Sequence, residues 1–315
     1  MSATALVAID WGTSAARAYC VDGNGGVLDR RSVPLGVRHV REGRFETALA
    51  TLLGDWSTKS APRVACGMIG SRQGWVEAPY VDCPASLTAL SDRMVQAPLD
   101  ALAIVPGVTT RDVAGTPDVM RGEETQLLGA VAPDEEGVLA VLPGTHSKWA
   151  RVEHGRIVDF TTFMTGELYG VLLDHSMLGR LAGHEPGRFA REPFSRGVAR
   201  GLDDGELSHD LFGARTLSLC GELASDDVAD WLSGLLIGRE IRAARAWALR
   251  AGVDASIVRI IGSDALAERY DLALGDAGVI AQRASGDAAA TGLWRIAQRA
   301  GLVGAVAPAP GMLFQ

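Results

Sequence analysis

The sequence predicts an α/β protein of two lobes built on one plan, and three observations carry that prediction. Short β-rich runs alternate with stretches of helical spacing. Two distant segments, "AIDWGTSAARAYCVDGNG" and "AVLPGTHSKWARVEHGR", repeat the order strand, Gly-Thr turn, strand, turn. A chain of 315 residues with 47% hydrophobic content has the length for about two domains and enough apolar mass for a large core.

Taken in order, Val7 to Asp10, Ala15 to Val21 and Val27 to Pro34 read as an antiparallel meander, joined by turns at "WGTS" and "DGNGG", where Gly and Asn supply positive φ. Phe45 to Trp56 has helical spacing, "RVACGMI" reads as a strand, Ser86 to Val95 as helical, and "DALAIVPGV" as a further strand. A second lobe opens near Pro117. There "DVMRGEETQLLGAV" is helical in its latter part, and "GVLAVLPGTHSKWARVEHGRIVDFTTFMTGEL" repeats the strand, Gly-Thr turn, strand, "HGR" turn, strand plan. Between Asp226 and Leu249, the apolar stripe Val228, Trp231, Leu232, Leu235, Leu236 and Ile241 predicts a buried helix. "VRIIGSDALAERYDLAL" gives strand, Gly-Ser turn and helix, and "SGDAAATGLWRIAQRA" a last helix. The expected lobes are therefore 1–116 and 117–315, with the last helix able to return onto the first lobe. No low-complexity linker separates them, which predicts a close-packed pair with a cleft.

Composition excludes several classes of function. A formal charge of −8 with scattered Lys and Arg argues against a nucleic-acid surface. Cys20, Cys66, Cys83 and Cys220 form no CxxC pair, so a reduced, cytoplasmic setting without zinc is expected. The chain opens on a strand without a basic leader, and no run of about 18 apolar residues occurs, so neither secretion nor a membrane partner is expected. His39, His146, His154, His175, His184 and His209 show no metal-ligand spacing; only His146 falls within a motif.

The repeated turns point to phosphate chemistry. Glycine lets a backbone approach an anion closely, and successive amides form a nest for phosphate oxygens. Asp10 sits at the end of an apolar strand directly before such a turn, where a carboxylate can hold Mg²⁺ opposite a nucleotide's phosphates. The plainer alternative is that Asp10 only caps the turn.

"AIDWGTSAARAY" resembles the first phosphate motif of the actin-like ATPase and sugar-kinase superfamily, and "VLPGTHSKW" the second. Together with "ACGMIGSRQGWVEAPY", "PDVMRGEETQLLGA", "FMTGELYGVLLDHSMLG" and "WLSGLLIGREI", the ordered motifs resemble the 2-dehydro-3-deoxygalactonokinase family over nearly the whole chain. That resemblance implies two ribonuclease-H-like lobes with a nucleotide-binding cleft between them. It also implies ATP-dependent phosphorylation of the C6 hydroxyl of 2-dehydro-3-deoxy-D-galactonate in galactonate catabolism, with ATP and Mg²⁺ as cofactors and a small-molecule sugar acid as substrate. A homodimer is left open.

The resemblance also distributes roles. Gly12, Thr13, Ser14 and Arg17 line the first phosphate turn, with Asp10 as metal ligand and catalytic residue. Gly144, Thr145 and His146 line the second turn, and Gly262 and Ser263 the adenosine side. Lys148 has no defined role there. Arg72 follows a predicted strand where related sugar kinases carry a substrate-binding arginine, suited to a carboxylate; Trp75, Thr165 and Glu167 complete the sugar-acid set. A solvated loop arginine, a structural Trp75 and a helix cap at Thr165 and Glu167 are the plainer alternatives. Related polyol kinases place an aspartate after glycine at the start of the helix entering the second half. Here Gly122 is followed by Glu123 and Glu124, which point about 100° apart on a helix, so one faces the site while the other is solvated or pairs with Arg121. Glu123 is favoured as base, with Glu124 next; alternatively both only complement the helix N-terminus. Two rival functions remain: an exopolyphosphatase-like phosphatase, suggested by "GEET", and an actin-like nucleotide switch.

Overall fold

The computed structural model describes residues 3–58, 60–98, 101–180, 182–183, 188–284 and 286–304. His184, Asp100 and Ser285, which the sequence reading includes, lie outside the described residues. The chain divides into two compact units, one of residues 1–137, 152–159 and 285–315, the other of residues 138–151 and 160–284. Pro117, where the sequence reading opens the second lobe, falls inside the first unit, as does the last helix.

In the first unit the expected meander is present as β1 (Leu6–Trp11), β2 (Ala16–Val21) and β3 (Val27–Val33). β1 is buried along its length because it is central, pairing antiparallel with β2 on one side and parallel with the later β4 on the other. α1 (Phe45–Leu53) covers one face through Phe45, Leu49, Leu52 and Leu53, beside the fully buried Trp11, whose indole N–H donates to the Leu35 carbonyl at 2.9 Å. Burying each such side chain contributes roughly 1.5–3 kcal/mol. β4 (Arg63–Gly67) is followed by β5 (Tyr80–Asp82), β6 (Ala85–Ser86), α2 (Leu87–Ser91), β7 (Val95–Gln96), β8 (Leu102–Ile104), β9 (Gly107–Arg111), β10 (Pro117–Met120) and α3 (Glu123–Ala130). The main sheet runs β3-β2-β1-β4-β8-β7, and a small sheet runs β10-β9-β5.

Two expectations change here. "DALAIVPGV" is two strands, β8 and β9, because Pro106 between them has no N–H for the ladder. The helix expected from Ser86 to Val95 shrinks to α2, started by the Ser86 hydroxyl accepting from Ala89 N–H at 3.2 Å, and Val95 enters β7.

The second unit carries β11 (Val138–Leu142), then β12 (Ser147–Glu153) and β13 (Arg156–Phe163), whose turn-side ends are counted with the first unit. α4 (Thr165–His175), α5 (Arg191–Leu202), α6 (Leu207–Leu219), α7 (Val228–Arg250), β14 (Ile257–Ile260), α8 (Asp264–Asp276) and β15 (Ile280–Arg283) follow. Its strands lie in the order β15-β14-β11-β12-β13, with β11/β14 and β14/β15 parallel. Read from the other end, β13-β12-β11-β14-β15, this is the order of β3-β2-β1-β4-β8 over again, as the repeated segments require. α7 is the predicted buried helix. It packs on α5 so tightly that a Cβ on Gly197 or Gly234 would fall 2.0 Å from a backbone carbonyl oxygen of the other helix.

α9 (Ala288–Arg299) closes the first unit against α3. A Cβ on Gly292 would lie 1.9 Å from the Thr125 carbonyl oxygen, and one on Gly129 1.9 Å from that of Ala288. Arg295 Nη1 donates to the Val131 carbonyl at 2.7 Å. These contacts fix the helix whose first residues are the acidic pair.

Candidate active site

The first Gly-Thr turn is braced from one side. Gly36, Val37 and Arg38 donate their N–H groups to the carbonyls of Ser14, Gly12 and Thr13 at 3.1, 3.0 and 3.2 Å. In a trans peptide the N–H points opposite to the carbonyl of the same plane. The amides of Thr13, Ser14 and Ala15 therefore face away from residues 36–38, as a nest requires. Gly36 makes the brace possible: a Cβ there would sit 2.3 Å from the backbone of Thr13 and Ser14.

Asp10 stands on β1 just before this turn and is 8% exposed. It pairs in register with Arg17 on β2 and with Cys66 on β4. Arg17 Nη1 lies 3.4 Å from Asp10 Oδ2, and the Cys66 thiol 4.0 Å from Oδ1. Burial raises the Asp10 pKa, and the nearby Arg17 only partly opposes that. The carboxylate is thus held in a setting that favours additional positive charge.

β4 ends beside Asp10 at Gly67, whose φ of +93° suits glycine and whose Cβ would lie 2.7 Å from the Trp11 carbonyl oxygen. Gly122, at φ +109°, lets α3 start against it, a Cβ there falling 3.1 Å from Gly67 Cα. The acidic pair is thereby brought to the strand that carries Cys66. Glu123 is half-buried and its Oε2 accepts from Arg121 N–H at 3.0 Å. Glu124 is fully buried; its Oε2 accepts from Gly122 N–H at 2.7 Å and its Oε1 from the Thr125 hydroxyl at 3.0 Å. Burial, then the charge of Glu123, pushes the Glu124 carboxyl up to about 8. Burial raises the Cys66 thiol as well, with the Asp10 and Glu124 charges adding to it, so Cys66 lies between the two acids.

In the second unit the turn Gly144, Thr145, His146 is seated on the start of α4. Glu167 N–H donates to the Thr145 carbonyl at 2.9 Å, and a Cβ on Gly166 would fall 2.4 Å from the Gly144 carbonyl oxygen. The His146 ring pairs with the Glu167 carboxylate, both half-exposed. Gly262 lies against Pro143, its would-be Cβ 3.5 Å from the proline ring, so the Gly-Ser turn adjoins the second Gly-Thr turn. Ser263 leads into α8. Lys148 Nζ donates to the Thr162 hydroxyl at 2.8 Å.

The sequence-predicted residues thus form two groups. Asp10, Gly12, Thr13, Ser14, Arg17, Glu123 and Glu124 belong to the first unit, and Gly144, Thr145, His146, Thr165, Glu167, Gly262 and Ser263 to the second. Arg72 and Trp75 also lie in the first unit. The Arg72 side chain is 87% exposed, with its Nε 3.6 Å from Glu77 Oε1. Trp75 stacks on Phe45 at 6.0 Å and packs against the core. The Thr165 hydroxyl is turned to the buried Glu240.

Sequence reasoning missed Gly36, Cys66, Gly67, Thr125 and Glu240, and had Arg121 only as an ion-pair partner of a glutamate, whereas it is the Arg121 N–H that Glu123 accepts from. The Arg121 guanidinium stacks over Tyr80 at 4.3 Å and donates from Nη2 to the Ala78 carbonyl at 2.8 Å; its Nε and Nη1 are buried with no acceptor among the described residues. Cys66 and Gly67 stand in "ACGM", Arg121 and Thr125 in "RGEET" and Glu240 in "IGREI", all within motifs already quoted, whereas nothing local marks Gly36.

Two α/β units on one plan, each with a Gly-Thr turn after a central strand, define the fold class of the actin-like ATPase and sugar-kinase superfamily. Component A of (R)-2-hydroxyglutaryl-CoA dehydratase from Acidaminococcus fermentans has this fold at 14% identity, with a TM-score of 0.50 over 93% of this chain and 95% of that one. Within the class, the 2-keto-3-deoxy-galactonokinase family model matches residues 10–296, and the chain belongs to that family. It is 35% identical to the 2-dehydro-3-deoxygalactonokinase of Escherichia coli (strain K12), over 90% of this chain and 94% of that protein. A crystal structure of a Sinorhizobium meliloti protein provisionally named as the same kinase matches with a TM-score of 0.82 and 35% identity, over 93% of this chain and 98% of that one.

Proposed function

We propose that the chain transfers the γ-phosphoryl group of ATP to the C6 hydroxyl of 2-dehydro-3-deoxy-D-galactonate, working in the cytoplasm. The observation that carries this reading is the buried Asp10 beside an outward-facing amide nest, linked through Cys66 to the acidic start of α3. The amides of residues 13–15 and the turn at Gly144, Thr145 and His146 bind phosphate oxygens, with Arg17 as a counter-charge. Gly262 and Ser263 pass the adenosine.

Asp10 fits a Mg²⁺ ligand: it is a buried carboxylate only partly offset by an exposed arginine, and Mg²⁺ is commonly held by one or two carboxylates together with substrate phosphates. When bound, Mg²⁺ supplies charge neutralisation for the phosphates.

Glu123 is the base. It is the accessible member of the pair, and its carboxylate is aimed by Arg121 N–H. Glu124, inaccessible and bonded through both oxygens, holds the start of α3. Arg72, exposed on its loop, receives the sugar-acid carboxylate, with Trp75 behind it.

The test is ADP release by the purified chain with ATP and Mg²⁺ across a panel of sugar acids. The expected result is ADP formed one-for-one with a 6-phosphate, and only with 2-dehydro-3-deoxy-D-galactonate. Equal phosphate release without any sugar acid sinks the reading in favour of a phosphatase or a nucleotide switch.

A further inference from the structure

Behind the second Gly-Thr turn lies a buried carboxylate that none of the roles above uses. Glu240, on α7, is 2% exposed. Its Oε1 accepts from the Trp149 indole N–H at 2.7 Å and its Oε2 from the Tyr270 hydroxyl at 2.8 Å. The Thr165 hydroxyl also bonds it, and the Ser147 hydroxyl lies 2.8 Å from that of Tyr270. The partners come from three different elements. Ser147 and Trp149 open β12 directly after Gly144, Thr145 and His146; Thr165 opens α4, which seats that turn through Gly166 and Glu167; Tyr270 is on α8, which begins after Gly262 and Ser263.

We propose that Glu240 is a positioning residue for nucleotide binding, a single buried acceptor that holds β12, α4 and α8 so that the turns at 144–146 and 262–263 keep the spacing ATP requires. The inference rests on the reading that those turns bind the nucleotide. A buried carboxylate is costly unless its lone pairs are filled, and here the donors that fill it are the groups whose positions matter. Trp149 and Thr165 both spend a donor on this carboxylate, and removing it takes that acceptor from them inside the core. A displacement of about 1 Å between reacting groups is enough to cost about 100-fold in rate, and amides that must meet phosphate oxygens at hydrogen-bond distance depend on placement of the same order.

The test measures ADP affinity by calorimetry in the presence of Mg²⁺, the KM for the sugar acid, and Tm, for Glu240→Gln, Tyr270→Phe, Thr145→Ala and Asp210→Asn. Asp210 is a control: it is equally buried in the same unit, paired with Arg200 and Arg239 at 2.5 Å, but bonds none of the turn-bearing elements. Glu240→Gln and Tyr270→Phe should weaken ADP by about tenfold with the sugar-acid KM within about twofold, whereas Asp210→Asn should lower Tm and leave ADP affinity unchanged. Wild-type ADP affinity in Glu240→Gln, or in Tyr270→Phe should the first not fold, overturns the inference. So does an equal loss in Asp210→Asn, which marks general loosening. Loss in Thr145→Ala with none in the Glu240 and Tyr270 variants overturns the inference alone; absence of ADP binding to the wild-type chain removes the nucleotide placement and the inference with it.

Discussion

The two Gly-Thr turns share a backbone plan and differ in where their charge lies. At the first, the charge is at the front: Asp10 is on the strand entering the turn, Arg17 on the strand leaving it, and the acidic pair of α3 beside them. At the second, the strand enters through Leu142 and Pro143 with no acid, and the buried carboxylate, Glu240, is behind the turn and filled by core donors. An amide nest needs only backbone, so both turns can bind phosphate. At the first turn buried carboxylates stand in front of the amides, so on the proposed reading the chemistry falls to the first unit and binding to the second.

The largest effect that sharpens this contrast is on stability. Glu124 has a native pKa of about 8 against 4.5 for the free side chain. Between those values the unfolded chain has released a proton that the native state keeps, so stability is highest at low pH and falls as pH rises toward 8. Relative to Glu124→Gln, wild type should lose up to about 5 kcal/mol over that window in denaturant titrations. A pH-independent difference means that the carboxyl is not buried as described.

Next in size is Asp10→Asn. Turnover should fall about 10²–10³-fold, while Tm holds or rises, because burial disfavours the charge that is removed. Near-normal kcat in the folded variant places the chemistry elsewhere. Glu123→Gln should lower kcat by about 10²-fold with KM values little changed; if Glu124→Gln does so instead, the two glutamates exchange roles.

Arg72→Ala should raise the sugar-acid KM by about tenfold and leave the KM for ATP alone. If it does not, the carboxylate contact passes to Arg121, whose unfilled nitrogens adjoin the same loop at Gly70. The smallest effect is expected at His146→Ala. Its pairing with Glu167 is half-exposed, and such pairs contribute little, so ADP affinity should change by less than about threefold. A large loss there would place side-chain chemistry at the second turn and erase the contrast.

The sequence by itself determined the repeated plan, the meander around Asp10, the buried α7 and the two Gly-Thr turns. Each of these is written in neighbouring residues: apolar alternation, glycine where the backbone must turn, and a 3.6-residue stripe. It also marked Glu123 and Glu124 as a pair, but adjacency in sequence does not say which side chain is buried. That was decided by Gly67 and Gly122, fifty-five positions apart in numbering and in contact only once β4 and α3 pack. Tertiary structure alone likewise decided that residues 117–137 belong with the first unit, that Gly36 braces the first turn, and that Arg72 is exposed while Arg121 is buried. Glu240 is the clearest case: its partners lie 91 and 30 residues away in Trp149 and Tyr270, and a buried carboxylate in an otherwise helical pattern has no local signature until the donors that fill it are brought together.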